Sequence, residues 1–146
     1  MECKITIKGT QKSFENDSAE VISYDSTGTF RLSEKDLIKY VTYVEYDEER
    51  PDVSRKVFLK IEKNTVTMQK QGTETKLIME KDKRHECIYA TDFGPLSFGI
   101  YTETVDDNLN ENGGELHLAY TLSLNGSLAS INTLDLKIEP LNSNLN

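Results

Sequence analysis

Apolar and polar residues alternate along most of the chain, and a period of two is typical of β-strands that bury one face. The clearest stretch covers residues 116–124, where every second side chain is apolar: Leu116, Leu118, Tyr120, Leu122 and Leu124. The same pattern predicts about ten strands, at residues 4–10, 20–31, 37–47, 55–62, 65–70, 75–81, 84–92, 96–105, 115–125 and 127–139. No long stretch has the helical spacing of apolar residues, although residues 14–19 could form one turn.

Short turn signals separate the predicted strands. Asn125-Gly126 is a strong hairpin signal, because a type I′ turn needs positive φ at both central residues. Lys63-Asn64 and Phe93-Gly94-Pro95 mark two further turns between β-rich segments. Connections this short allow only antiparallel pairing between neighbours, since parallel strands need crossovers of a dozen or more residues.

The apolar stripes of three predicted strands should face a common interior. They lie within residues 96–104, 116–124 and 130–138. A long meander exposes two sheet edges, and closing the sheet into a barrel removes both. We therefore predict a single all-β domain over residues 1–146, an antiparallel meander of about ten strands closed into a barrel. A two-sheet sandwich is the alternative architecture.

Several motifs carry a family resemblance. In the second half of the chain they are Tyr89-x-Thr91-x-Phe93-Gly94-x-Leu96, Ile100-x-Thr102, Gly114-x-Leu116-x-Leu118-x-Tyr120-x-Leu122 and Asn132-x-Leu134-x-Leu136-x-Ile138. Upstream they are Gly28 with Phe30, and Tyr40-x-x-Tyr43-x-Glu45. Across residues 21–138 the chain thus resembles the YwiB-like family of uncharacterised bacterial proteins. The resemblance implies a lipocalin-like (calycin) barrel and carries over no catalytic or ligand-binding residues.

The chain departs from that family pattern at one turn. The usual Thr-Pro before the glycine reads Thr91-Asp92-Phe93-Gly94 here, and Pro95 follows the glycine. We therefore expect a different local turn at this point of the same fold.

Composition narrows the partners of the predicted barrel. The chain has 25 acidic and 17 basic side chains, a net charge of −8, which argues against binding to nucleic acids or anionic membranes. No apolar run is long enough for a signal peptide or a membrane span. Cys3 and Cys87 are isolated in the sequence, so we expect two free thiols in the reducing cytoplasm. The sequence leaves the oligomeric state open.

Two clusters could in principle carry chemistry. His85 and Cys87 share one face of a predicted strand, but zinc needs three or four protein ligands and the chain has few soft ones. Residues 108–113 faintly resemble a calcium loop, yet Asn108 replaces the first Asp and Ala119 replaces the bidentate Glu. The sequence contains no phosphate-binding glycine motif and no GxSxG elbow. We expect no metal, no cofactor and no enzymatic activity.

Polar residues on the inward faces are the more informative signal. They are Tyr89, Thr91, Thr102, Thr104, Tyr120, Ser130 and Asn132. Burying an unpaired hydroxyl or amide costs about 1–3 kcal/mol, so each of these groups needs a partner. In one interpretation Tyr120 and Asn132 bond each other or ordered water across adjacent strands. In the other they orient a small ligand in a partly open cavity.

The predicted function follows from the second interpretation. We expect a non-catalytic barrel that binds a small apolar molecule, either fatty-acid-like or aromatic. The predicted binding residues are Tyr89, Thr91, Thr102, Tyr120 and Asn132. The alternative is a protein-interaction or structural domain whose barrel is filled by its own side chains.

Overall fold

The structure is a computed structural model that describes residues 1–14, 19–46, 50, 52–91 and 93–141. Ten β-strands make up the fold: β1 (Glu2–Ser13), β2 (Ala19–Leu32), β3 (Lys39–Tyr46), β4 (Ser54–Glu62), β5 (Thr65–Lys70), β6 (Lys76–Glu80), β7 (Arg84–Thr91), β8 (Gly94–Asn110), β9 (Gly113–Leu124) and β10 (Ser127–Pro140). The ten predicted strands are confirmed. The largest difference is at β8, which continues from the predicted end at residue 105 to Asn110.

Three details of the prediction fall outside the described residues. They are the predicted strand ends at residues 47 and 92 and most of the one-turn segment at residues 14–19. At the departure from the family pattern, Thr91 and Gly94 are paired across the turn, and Gly94 has a φ of 102°.

The strands form a closed antiparallel barrel in sequence order. Each strand pairs with its neighbours in the chain, and β1 closes the ring by pairing with both β2 and β10. Ile5, for example, lies between Ile138 of β10 and Ser26 of β2. The predicted barrel is therefore confirmed, and the sandwich alternative is wrong. Asn125 and Gly126 have φ values of 53° and 80°, as the predicted type I′ turn requires.

The two ends of the barrel differ in their contents. We call the end with the β1–β2, β3–β4, β5–β6, β7–β8 and β9–β10 connections the mouth, and the opposite end the base. Apolar side chains fill the middle and the base half, and the following are almost fully buried: Ile5, Phe30, Val41, Val57, Leu59, Ile61, Met79, Ile100, Leu116, Leu118, Leu136 and Ile138. Burying one such side chain contributes about 1.5–3 kcal/mol, so this half stabilises the fold.

An ion pair crosses the lumen at the base. The ammonium of Lys39 on β3 lies 2.7 Å from a carboxylate oxygen of Asp107 on β8. These strands are five positions apart in either direction around the ring, so the pair joins opposite walls. Both side chains are largely buried. The base is therefore closed by polar as well as apolar contacts.

A β-bulge in β8 corrects one inward assignment. The register shifts between Thr102, which pairs with Tyr120, and Thr104, which pairs with Ala119. Thr102 faces inward and is fully buried, but the extra residue turns Thr104 outward and brings Val105 in opposite Leu118. The prediction that Thr104 faces inward is wrong, because strict alternation cannot anticipate a bulge.

Both cysteines are free and buried. Burial raises the pKa of each thiol, so both remain protonated and unreactive at neutral pH. The Cys87 sulfur accepts a hydrogen bond from the backbone N–H of Ile78 at 3.2 Å. Within the described ranges, no group of three or more His, Cys, Asp or Glu side chains could hold a metal ion. The same part of the chain contains no helix long and apolar enough to cross a membrane.

Candidate functional site

Aromatic and polar side chains line the inner wall near the mouth. They occupy the same inward faces as the core, one or two positions nearer the mouth on each strand. They include Tyr24 on β2, Tyr43 and Glu45 on β3, Lys70 on β5, Tyr89 on β7, Tyr120 on β9 and Asn132 on β10. The inward stripe thus changes from apolar to polar along the barrel axis.

A pocket of about 390 Å³ opens among these residues. Leu77, Phe98 and Leu122 form its apolar wall. The ring of Phe98 meets the ring of Tyr89 edge to face, with centroids 6.5 Å apart. None of the described side chains that line the pocket is charged. Its size and its apolar lining with a few polar groups are typical of small-molecule sites.

Four of the five predicted binding residues come together in this pocket: Tyr89, Thr91, Tyr120 and Asn132. Thr102 does not line it. Its hydroxyl is buried nearer the base and has no hydrogen-bond partner in the described part of the chain. The hydroxyl of Thr91 is engaged in the turn after β7, where it donates to the carbonyl oxygen of Gly94 at 2.7 Å.

Asn132 and Ser130 form the polar edge of the pocket. Both are buried; Asn132 is 5% exposed. The Asn132 amide donates a hydrogen bond to the Ser130 hydroxyl at 3.0 Å. Tyr120 lies directly opposite Asn132 in the β9–β10 register, but the expected bond between their side chains does not form. Within the described part of the chain, Asn132 makes its one side-chain hydrogen bond through its N–H, so its carbonyl oxygen is left without a partner, and no protein group bonds the Tyr120 hydroxyl. Both side chains border the pocket.

Lys70 holds the wall next to the pocket. Its ammonium lies 3.0 Å from the Glu45 carboxylate and 3.4 Å from the Tyr89 hydroxyl, and 5.2 Å from the centre of the Tyr89 ring. Burial lowers the pKa of Lys70, but its electrostatic interactions and hydrogen bonds with Tyr89 and Glu45 raise the pKa above its ordinary value. Lys70 therefore stays charged and links β5 to β3 and β7, two strands away on either side.

The buried phenols near the mouth stay neutral at physiological pH. Burial raises the pKa of Tyr120 to about 12, with a smaller contribution from Tyr89. Burial also raises the pKa of Tyr43, and the nearby Tyr24 and Glu45 add to the effect. A neutral phenol can both donate and accept a hydrogen bond, so the Tyr120 hydroxyl, whose side chain lines the pocket, can serve either kind of ligand atom.

The sequence singled out neither Lys70 nor Tyr24 as a site residue, and it used Tyr43 and Glu45 only for the family resemblance. Alternation did contain a signal, because Lys70 continues the buried stripe of Val66 and Met68. Reading that stripe to its end would have placed a lysine inside the barrel. Which strands its side chain would reach was not visible in the sequence.

The other predicted chemical clusters have structural partners. His85 contacts the Glu80 carboxylate at 2.9 Å beside the β6–β7 turn, away from Cys87, whose sulfur bonds to Ile78. On the outer wall, His117 pairs with Asp135. At the tip of the β8–β9 hairpin, Asn110 accepts a hydrogen bond from the backbone of Asn112 at 2.8 Å. Both asparagines are exposed at this tip.

Comparison with known proteins finds two similarities. The model of the family described as "Domain of unknown function (DUF1934)" matches residues 5–136. The crystal structure of ywiB protein from Bacillus subtilis aligns with 97% of this chain and 94% of that chain, with a TM-score of 0.77 and 18% sequence identity. At this identity the likeness shows a shared fold. No curated protein matches the sequence.

Proposed function

Since the chain belongs to the DUF1934 family, whose description assigns no function, we propose one from its own residues: the barrel binds a small, uncharged, largely apolar molecule in the pocket at its mouth. The family resemblance found in the sequence is confirmed. The finer likeness to calycin barrels agrees with ligand binding, but fold analogy alone is weak support for a function.

The pocket itself carries the proposal. It encloses about 390 Å³ between aromatic and aliphatic side chains, which is within the range of small-ligand sites. The alternative function, an interaction or structural domain, would have a barrel filled by its own side chains. The base half of the barrel is filled in this way. The mouth half departs from it, because polar groups of Tyr120 and Asn132 border empty space there.

The chemistry of the lining favours an aromatic ligand over a fatty acid. A carboxylate moved from water into the pocket would need a counter-charge, and the described residues that line the pocket include no charged side chain. The nearby Lys70 ammonium is already paired with Glu45 at 3.0 Å. The faces of Tyr89, Phe98 and Tyr120 offer a flat ring good van der Waals contact.

A non-catalytic, cytoplasmic role is part of the same proposal. Among the described residues, the pocket lining contains no cysteine, histidine, aspartate, glutamate or lysine, and these are common nucleophiles and general bases. Two buried free thiols suit a reducing compartment.

The test is a titration with N-phenyl-1-naphthylamine, an uncharged fluorescent probe. We expect saturable binding to the wild type at one site per barrel. Tyr120→Trp should lower the affinity at least tenfold, because the larger ring occupies the pocket. Tyr101→Trp, on the outer wall where Tyr101 is exposed, is the matched control and should bind like the wild type.

A second variant covers the case in which Tyr120→Trp does not fold, which a thermal melt would reveal. Ala129→Leu fills the pocket from its partly exposed rim and should also weaken the probe. Absence of saturable binding to the wild type would overturn the proposal in favour of the interaction role. Equal affinity in wild type and folded pocket variants would do the same.

A further inference from the structure

The hydrogen-bonding groups on the pocket wall restrict the ligand more closely than its shape does. The Asn132 amide has two N–H donors and one carbonyl acceptor. One donor is used by Ser130 at 3.0 Å. In the described part of the chain, one N–H and the carbonyl oxygen therefore remain without a partner, on a side chain that is 5% exposed and borders the pocket.

The neighbouring groups add donors rather than charge. The Ser130 hydroxyl accepts from Asn132 and keeps its own proton for donation. Tyr120, opposite Asn132 in the register, has a neutral hydroxyl because burial raises its pKa to about 12. The Tyr89 hydroxyl accepts from Lys70 and has its own O–H to donate. This edge can thus satisfy a carbonyl oxygen and an N–H of the same ligand.

The geometry points to a ligand that carries a carboxamide or lactam group on a flat aromatic body. This inference rests on the proposed function and names the chemical class that the pocket selects. The N–H of such a group donates to the Asn132 carbonyl oxygen, and its own carbonyl accepts from the free Asn132 N–H or from a nearby hydroxyl. The aromatic body lies against Tyr89, Phe98 and Leu122.

Other ligand classes leave buried groups unsatisfied. A hydrocarbon would leave both the N–H and the carbonyl oxygen of Asn132 without partners, and an acceptor-only ring would satisfy only the N–H. A carboxylate would place its negative charge beside the Asn132 carbonyl oxygen, and no cation is among the described residues that line the pocket. A site with buried polar groups rejects ligands that leave those groups unpaired.

Four probes of similar size separate these classes. They are 2-quinolone, which is a lactam; quinoline, which only accepts; naphthalene, which does neither; and 2-naphthoate, which is an anion. Affinities for the wild type, Asn132→Leu and Asn112→Leu are measured by calorimetry or by ligand-observed NMR. Asn112 is exposed at the β8–β9 tip, so its substitution is the matched control.

The wild type and Asn112→Leu should bind 2-quinolone at least tenfold more tightly than each of the other three probes. Asn132→Leu should remove this preference while its affinity for naphthalene stays the same or rises. Equal affinity of the wild type for naphthalene and 2-quinolone would overturn the lactam inference and leave the proposed function intact. So would tighter binding of 2-naphthoate, or a preference that survives in Asn132→Leu. Failure of all four probes to bind would overturn both proposals.

Discussion

At the scale of single residues, the barrel interior contains phenols whose surroundings change their acidity. Tyr120 lies inside near the mouth, and its pKa is raised to about 12 chiefly by burial. The pKa of Tyr43 is raised by burial and by the phenols and carboxylate around it. In the unfolded chain a tyrosine ionises near pH 10. The free energy of unfolding should therefore depend on pH in the alkaline range.

Replacing Tyr120 with phenylalanine should flatten the loss of stability at high pH. Between about pH 10 and 12 the unfolded phenol releases its proton while the folded one keeps it, so the folded state binds more protons and the free energy of unfolding falls as pH rises. A difference of about two pKa units corresponds to on the order of 2–3 kcal/mol. That contribution is complete below pH 10 and is lost as pH approaches 12.

The measurement is urea denaturation of wild type and Tyr120→Phe between pH 8 and about 11.5, at about half-unit steps. Tyr101→Phe, which removes an exposed phenol from the outer wall, serves as the control and should follow the wild type. If Tyr120→Phe loses stability with pH as steeply as the wild type, burial of this phenol is not what couples folding to pH.

At the scale of elements, the bulge in β8 determines which side chains of its second half face inward. Before the bulge Thr102 faces inward, and after it Val105, Asp107 and Leu109 do. The intervening Glu103 is exposed. One added residue thus changes the face of every side chain that follows it along the strand.

Deleting Asp106, beyond the bulge, should therefore be far more destabilising than deleting Glu103. Removal of Glu103 leaves regular alternation, so Val105 and Leu109 still face inward. Removal of Asp106 would turn Leu109 outward, and the loss of a buried leucine alone costs about 2–5 kcal/mol. Glu103→Ala keeps the bulge and removes only an exposed side chain, so it should change stability by less than about 0.5 kcal/mol. Urea denaturation of the three variants checks the contrast, and similar stabilities of the two deletion variants would show that the faces of the side chains beyond the bulge do not determine stability.

At the scale of the whole molecule, the lumen is divided into a closed base and a polar mouth. The Lys39–Asp107 pair joins opposite walls at the base. Near the mouth, the Lys70 contacts with Glu45 and Tyr89 join strands that are two positions apart in the ring. Both sets of side-chain contacts connect strands that backbone pairing does not connect. They hold the wall beside the pocket, whose described lining residues are all uncharged.

The Lys39–Asp107 pair should show a measurable coupling energy in a double-mutant cycle with Lys39→Met and Asp107→Leu. Either single change leaves a largely buried charge without its partner, which costs about 1–3 kcal/mol, and the double change should recover part of this loss. The exposed pair of Lys4 and Asp25, 3.8 Å apart, is the reference and should couple by less than about 1 kcal/mol. Equal coupling in the two cycles would mean that the cross-lumen pair is no stronger than a surface pair.

Much of this architecture could be predicted from local patterns. Alternation placed ten strands because each strand buries one face, and short turns such as Asn125-Gly126 leave neighbours no choice but antiparallel pairing. Side-chain parity also placed Tyr89, Thr91, Tyr120 and Asn132 on inward faces, and they do border one pocket. These features depend only on residues close in sequence and on the two-residue period of a strand.

The tertiary structure alone decided what those inward residues contact. Parity states which face a side chain occupies, but it cannot show a bulge that reverses Thr104 and Val105. It also cannot choose between the Ser130 and Tyr120 partners of Asn132. Contacts across the lumen, such as Lys39 with Asp107, join residues far apart in the chain. Their distances depend on the closure of the barrel as a whole, which no local pattern encodes.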